Sequence, residues 1–159
     1  MREHVQRTVA GCSVALRKLR SIRRSIPMPV YQTLVVALVL SRLDYGNATL
    51  AGILSQLCRH LQAVLNASAR SVAGLRRSDH ITAMLANFHW LRASERIQFK
   101  LATLVYRSLH GPVPRYLSDD LRRVADIPSR RNLQSASSCQ LEVPRTHLCR
   151  WSNFQSCRI

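Results

Sequence analysis

The chain has 159 residues, 47% of them hydrophobic and only 6% aromatic, with five glycines and six prolines. That length suits one domain, or one domain plus a tail, and the sparse aromatic and turn residues favour helices over a sheet sandwich. Lys and Arg total 24 against 8 Asp and Glu, a formal net charge of +16, and every basic residue except Lys18 and Lys100 is arginine. Such a field draws in phosphate polymers before any specific contact forms. Arginine strengthens that reading, because its planar fork bonds phosphate oxygens in pairs and stacks on bases, whereas lysine acts as a point charge. The plainer alternative is a solvated basic surface.

In chain order, the apolar positions Val5, Val9, Cys12, Leu16 and Leu19 alternate steps of four and three. This spacing predicts a first helix with one buried seam, leaving Arg7, Arg17, Lys18, Arg20 and Arg24 on its outer flanks. Pro27 and Pro29 are expected to stop it, since proline lacks an N–H and restrains the residue before it. A second helix over about 30–43 is apolar nearly all round and so is expected to lie inside. Its run Leu34–Leu40 covers only about a third of the ~20 residues a membrane helix needs. Tyr45-Gly46-Asn47 punctuates it.

A third helix over about 55–73 turns Leu57, Leu61, Val64, Leu65 and Val72 inward, with Ala67, Ser68 and Ala69 allowing close approach and Gly74 as C-cap before Arg76 and Arg77. Ile81, Leu85 and Phe88 mark a short fourth helix. Ser94 reads as the N-cap of a fifth, whose apolar stripe is Ile97, Leu101, Leu104, Val105 and Leu109. His110-Gly111-Pro112-Val113-Pro114 ends it, and a short charged sixth helix follows over about 115–124. From residue 128 the composition shifts to Ser, Arg, Gln and Cys, which predicts an irregular, poorly ordered tail with a weak strand near 140–143. The expected fold is therefore all-α, a bundle of about five or six helices over 1–127 and an irregular basic tail over 128–159.

Cys12, Cys58, Cys139, Cys149 and Cys157 are odd in number and irregularly spaced. Met1-Arg2-Glu3-His4 leads into an amphipathic segment rather than an apolar leader, so reduced thiols are expected in an intracellular chain, cytoplasmic or nuclear, neither secreted nor membrane-spanning. Cys139, His147, Cys149 and Cys157 lack the short paired spacings of structural zinc sites, so no metal site is expected.

Two other stretches tempt a catalytic reading. In Tyr116-Leu117-Ser118-Asp119-Asp120 an aromatic precedes an Asp pair, as in polymerases that clamp two divalent ions between carboxylates. Here an extra residue intervenes and no apolar strands flank the segment, so the acids are read as residues at the start of a helix, favoured by its dipole. Ser78-Asp79-His80 holds the residue types of a hydrolase triad, but three consecutive side chains cannot form that relay in the usual way, and a turn with a helix-capping role is expected instead. Trp90 is expected in the core. No glycine-rich phosphate loop, catalytic residue or cofactor is expected.

The blocks Ser41-Arg42-Leu43-Asp44-Tyr45-Gly46-Asn47, Asp79-His80-Ile81-Thr82, His89-Trp90-Leu91 and Val143-Pro144-Arg145-Thr146 resemble the region just downstream of the polymerase core in LINE-type (non-long-terminal-repeat) retrotransposon reverse transcriptases. Leu16 to Arg24, Leu61 to Asn66, Ala69-Arg70, Arg96 to Leu101 and Leu109-His110-Gly111 continue the likeness in order, from about His4 to Thr146. The chain departs from that family at Gly46, Arg92 and Gln134, and beyond Thr146. The resemblance implies thumb-like helices that hold template and primer while fingers and palm do the chemistry. It places Arg17, Lys18, Arg20, Arg23 and Arg24 near phosphates; Arg76 and Arg77, after the third helix, are expected as further nucleic-acid contacts on their charge.

What is expected, then, is an incomplete retrotransposon product. It is inactive alone because it lacks the palm carboxylates of an RNA-directed DNA polymerase, yet it retains sequence-independent affinity for RNA or DNA. The missing polymerase core is a further expected partner. The alternative is a stand-alone basic helical module that docks other proteins.

Overall fold

The computed structural model describes residues 1–76, 78–111, 113–119, 121, 124 and 141. Among them the architecture is all-α. The helices are α1 (Arg2–Ile22), α2 (Met28–Val35), α3 (Ser41–Asp44), α4 (Ser55–Ala73), α5 (Thr82–Asn87), α6 (Ala93–His110) and α7 (Arg115–Asp119). The chain divides into two compact units, Met1–Leu101 and Ala102–Ile159. The boundary expected at 127/128 lies outside the described residues, as do the tail and, apart from Leu141, the strand expected near 140–143.

Within the first unit α1 lies along α4 and against the helical run that begins at Met28. The seam expected for α1 is the one it buries: Val5, Cys12, Leu16 and Leu19 are inside, with Val9 partly so. They meet Leu57, Leu61, Val64, Leu65, Ala69 and Val72 of α4 in one apolar core, which Trp90, Ala93 and Ile97 extend. Fully burying a side chain of this size is worth about 1.5–3 kcal/mol relative to leaving it exposed. Trp90 takes the expected core position and packs on Phe88, ring centroids 5.3 Å apart.

The second helix begins two residues earlier than expected, with Pro27 as N-cap and Pro29 inside the first turn. Proline is tolerated there because the first N–H groups of a helix have no partner within it. Between α2 and α3 a π turn over Val36–Leu40 keeps the run continuous, the Ser41 N–H reaching the Val36 carbonyl. Its extra residue shifts the register so that the neighbours Val39 and Leu40 both face inward with Tyr31, Val35 and Leu43. The same twist corrects the expectation of a helix buried all round. Val30, Val36 and Leu38 are 48%, 40% and 41% exposed, because the core covers one face only.

Gly74 closes α4 as expected, in the left-handed conformation at φ 73°, with its own N–H and that of Leu75 on the Arg70 carbonyl. Ser94 does not cap α6. The helix starts at Ala93, whose N–H donates to Gln62 Oε1 of α4 at 2.8 Å, while Glu95 accepts from the Arg92 N–H at 2.8 Å. A side chain from another helix has replaced the local cap. Leu104, expected in the stripe of α6, is exposed, and α7 ends at Asp119 rather than near residue 124.

Candidate nucleic-acid interface

The C-terminal end of α1 and the 3-10 turn that follows it, Arg23–Ser25, share a groove with the C-terminal half of α4, α1 being tied there through Arg20 and the Ala67 carbonyl. It is an open groove, lined by Arg20, Arg23, Arg24, Ala63, Asn66, Ala67, Arg70, Ser71 and Leu75. Its α4 wall is a second face of that helix: Ala63, Asn66, Ala67 and Arg70 recur at three- and four-residue steps, adjacent to the buried stripe.

The four arginines differ in their contacts. Arg20 is exposed but donates from Nη2 to the Ala67 carbonyl at 3.3 Å, which ties α1 to α4. Arg23 is half-buried, its guanidinium carbon 5.9 Å from the Tyr31 ring centroid, a cation–π distance. Tyr31 is itself fixed, fully buried with its hydroxyl hydrogen-bonded to Ser71. Gly74 gives Arg23 its room, since a Cβ there would lie 2.8 Å from the guanidinium. Arg24 is exposed. Arg70 donates from Nη2 to the Asp79 carbonyl at 3.5 Å, and its buried Nε has no partner.

Among the described residues none of these four guanidiniums is paired with a carboxylate. The acids of the first unit are Glu3, Asp44, Asp79 and Glu95, and three of them are engaged elsewhere. Asp44 pairs with Arg96 and accepts from Asn47 Nδ2 at 3.0 Å. Asp79 accepts from the Arg76 N–H at 2.7 Å, and Glu95 from Arg92. Among the described residues the groove is therefore a concentration of positive charge without a carboxylate partner, over a floor of small side chains, which suits an anion that approaches closely.

Of the residues expected to touch nucleic acid, Arg20, Arg23 and Arg24 come together here. Arg17 and Lys18 are exposed on α1 outside the groove, Arg76 is exposed in the turn after α4, and Arg77 lies outside the described residues. Arg70 was not expected. Its signal lay in the polar and small positions of α4 that repeat beside the apolar ones. Ser78-Asp79-His80 forms a turn, but Asp79 caps the Arg76 N–H rather than α5. Asp119 is the last residue of α7, not a first-turn acid, and Asp120 lies outside the described residues, as do the tail's Cys139, His147, Cys149 and Cys157.

Among the described residues no three His, Cys, Asp or Glu side chains converge on a point, and no helix is long and apolar enough to cross a membrane. Cys12 and Cys58 are free thiols whose burial pushes their pKa above the usual 9.0, with Arg42 partly offsetting the effect at Cys12. Raised thiols are poor nucleophiles at neutral pH. The polar groups lining the groove are four guanidiniums, the Ser71 hydroxyl and the Asn66 amide. No protein family matches the chain, and comparisons with curated proteins and with solved structures give no match.

Proposed function

We propose that the chain is a thumb-like element of a LINE-type reverse transcriptase lineage that holds the backbone of RNA or DNA without regard to sequence and performs no chemistry alone. The observation that carries this reading is the groove of Arg20, Arg23, Arg24 and Arg70, which has no carboxylate partner among the described residues. Contacts of these guanidiniums to phosphate oxygens carry no sequence information, so affinity comes without specificity. Supporting it, Asp44 of the block Ser41 to Asn47 spends its carboxylate on Arg96, within another family-like block, and on the Nδ2 of Asn47, and so serves the fold rather than a reaction. Retention on random-sequence RNA and DNA across a salt series is the test. Retention at low salt that falls steeply as salt rises is expected, and retention that is absent at low salt or indifferent to salt refutes the reading.

A second reading has its own support in the exposed apolar side chains Val30, Val36 and Leu38 on one helical run. It makes the chain a helical docking module, for the polymerase core or for another protein. A defined stoichiometric oligomer in light scattering, with no retention on nucleic acid, favours it over the first.

A further inference from the structure

We infer that Tyr106, in the last turns of α6, is a stacking platform for an unpaired nucleobase of single-stranded RNA or DNA. This rests on the nucleic-acid reading and adds to it the class of polymer; the site belongs to the second unit and uses no residue of the arginine groove.

Along the end of α6, Val105, Ser108 and Leu109 are covered, whereas Ala102, Tyr106, Arg107 and His110 lie open to water. Tyr106 is 64% exposed, an unusual place for a ring that ordinarily fills a core or an interface. One of its faces is backed. His110, one turn later, lies with its ring centroid 4.7 Å away and its plane 25° off, a stacked pair. His110 is held in turn through Nδ1, 3.2 Å from the Tyr106 carbonyl oxygen. Helix side chains lean toward the N-terminus, so the Tyr106 ring lies over the turn that carries Ala102 and Thr103. Both are small, so the helix leaves the second face of the ring uncovered, in keeping with its exposure. A ring backed on one side has little freedom left to lose when a partner settles on the other.

Every nucleobase has a π face, so such a ring accepts any of them, as binding without regard to sequence requires. The charge beside it favours a nucleic acid over an apolar peptide. Arg107 follows one step round the helix, between Thr103 and His110, exposed and with no carboxylate partner among the described residues. No acidic residue occurs from Ala102 to His110. The guanidinium is thus placed to meet the phosphate of the stacked nucleotide. Bases in a duplex already stack on one another, so the platform takes an unpaired strand.

The test binds the full chain to two 12-mers with the same phosphates, oligothymidine and an abasic strand, across a salt series. Tyr106→Ala is expected to weaken oligothymidine binding about 5-fold or more, the low end for one stacked base. The slope of log affinity against log salt should not change, because a neutral ring releases no counterions. Binding of the abasic strand should stay at the wild-type level, and Tyr106→Phe, which keeps a π face, should bind both strands as the wild type does. Tyr45→Ala removes a tyrosine that is 77% exposed and has no ring stacked on it among the described residues, and should change neither affinity. Should Tyr106→Ala fail to fold, Tyr106→Leu, which favours a helix but has no π face, answers the same question. Wild-type affinity of these variants for oligothymidine, or an equal loss on both strands, overturns the platform; where salt-sensitive binding persists, the nucleic-acid reading stands without it. A wild-type chain that binds neither strand at low salt overturns both.

Discussion

Replacing Gly74 by alanine separates backbone strain from the weakening of one side-chain interaction, because Gly52 supplies a matched control. Both glycines sit in the left-handed region, at φ 73° and 76°. A Cβ at Gly52 would meet nothing within 4 Å, whereas one at Gly74 would lie 2.8 Å from Arg23 Nη2. Left-handed backbone costs an L-residue about 1–2 kcal/mol, and the stiffer unfolded chain of the alanine variant returns about 0.4–1 kcal/mol of that. Gly52→Ala should therefore cost about 1 kcal/mol. Gly74→Ala should cost the same, plus the attraction between the Arg23 guanidinium and Tyr31, which the new methyl group pushes apart. That attraction is a partly exposed cation–π pair worth about 0.5–1 kcal/mol. Urea unfolding followed by far-ultraviolet circular dichroism measures both, with Arg23→Ala as a second background in which the excess at Gly74 should disappear. Equal costs at the two glycines, or an excess that persists without Arg23, would refute the account of how the groove's wall is held.

Other expectations are more local. Leu65→Ala, at a side chain 1% exposed in the centre of α4, should cost about 2–5 kcal/mol in the same assay; a cost below about 1 kcal/mol would mean that the core is not where α1 meets α4. Gln62→Ala should cost about 1 kcal/mol through removal of a helix cap, while Ser94→Ala changes little; the reverse order would restore the cap that local sequence indicates. Burial raises the Cys12 thiol above its ordinary value of 9.0, so the unfolded chain ionises first. Stability from this group is full below about pH 9 and is lost as pH rises from there through the native value. The Cys12→Ala variant should lack that component of the alkaline decline, and an unchanged decline would assign it to other groups.

The helices were legible where period and punctuation agreed. Val5 to Leu19 and Leu57 to Val72 repeat at three and four, and Gly74 stops α4 where its φ demands glycine, so α1 and α4 could be read without coordinates. The expectation failed where a distant partner decides. Gln62 caps α6 across 31 residues of sequence, and no local pattern at Ser94 reveals it. The π turn at Val36–Leu40 also escaped, because an all-apolar run carries no phase from which to see a shift of register. At the groove, the basic cluster from Arg20 to Arg24 was evident as charge, but its opposite wall was not. Arg70 becomes its partner only when α1 lies on α4, and the acids that leave it uncompensated are spent on Arg76, Arg92 and Arg96, which sequence does not disclose.

The central claim is that the groove's arginines, and not net charge alone, hold the polynucleotide backbone. The salt dependence of binding to a random single strand tests this most directly, measured for the wild type and for the Arg20→Gln/Arg24→Gln variant. Four backbone contacts on a single strand give a slope of log affinity against log salt of about −3, and removing two should bring it to about −1.5. A variant that keeps the wild-type slope, with binding weakened equally by neutralising Arg7 or Arg59 elsewhere on the surface, would contradict the claim.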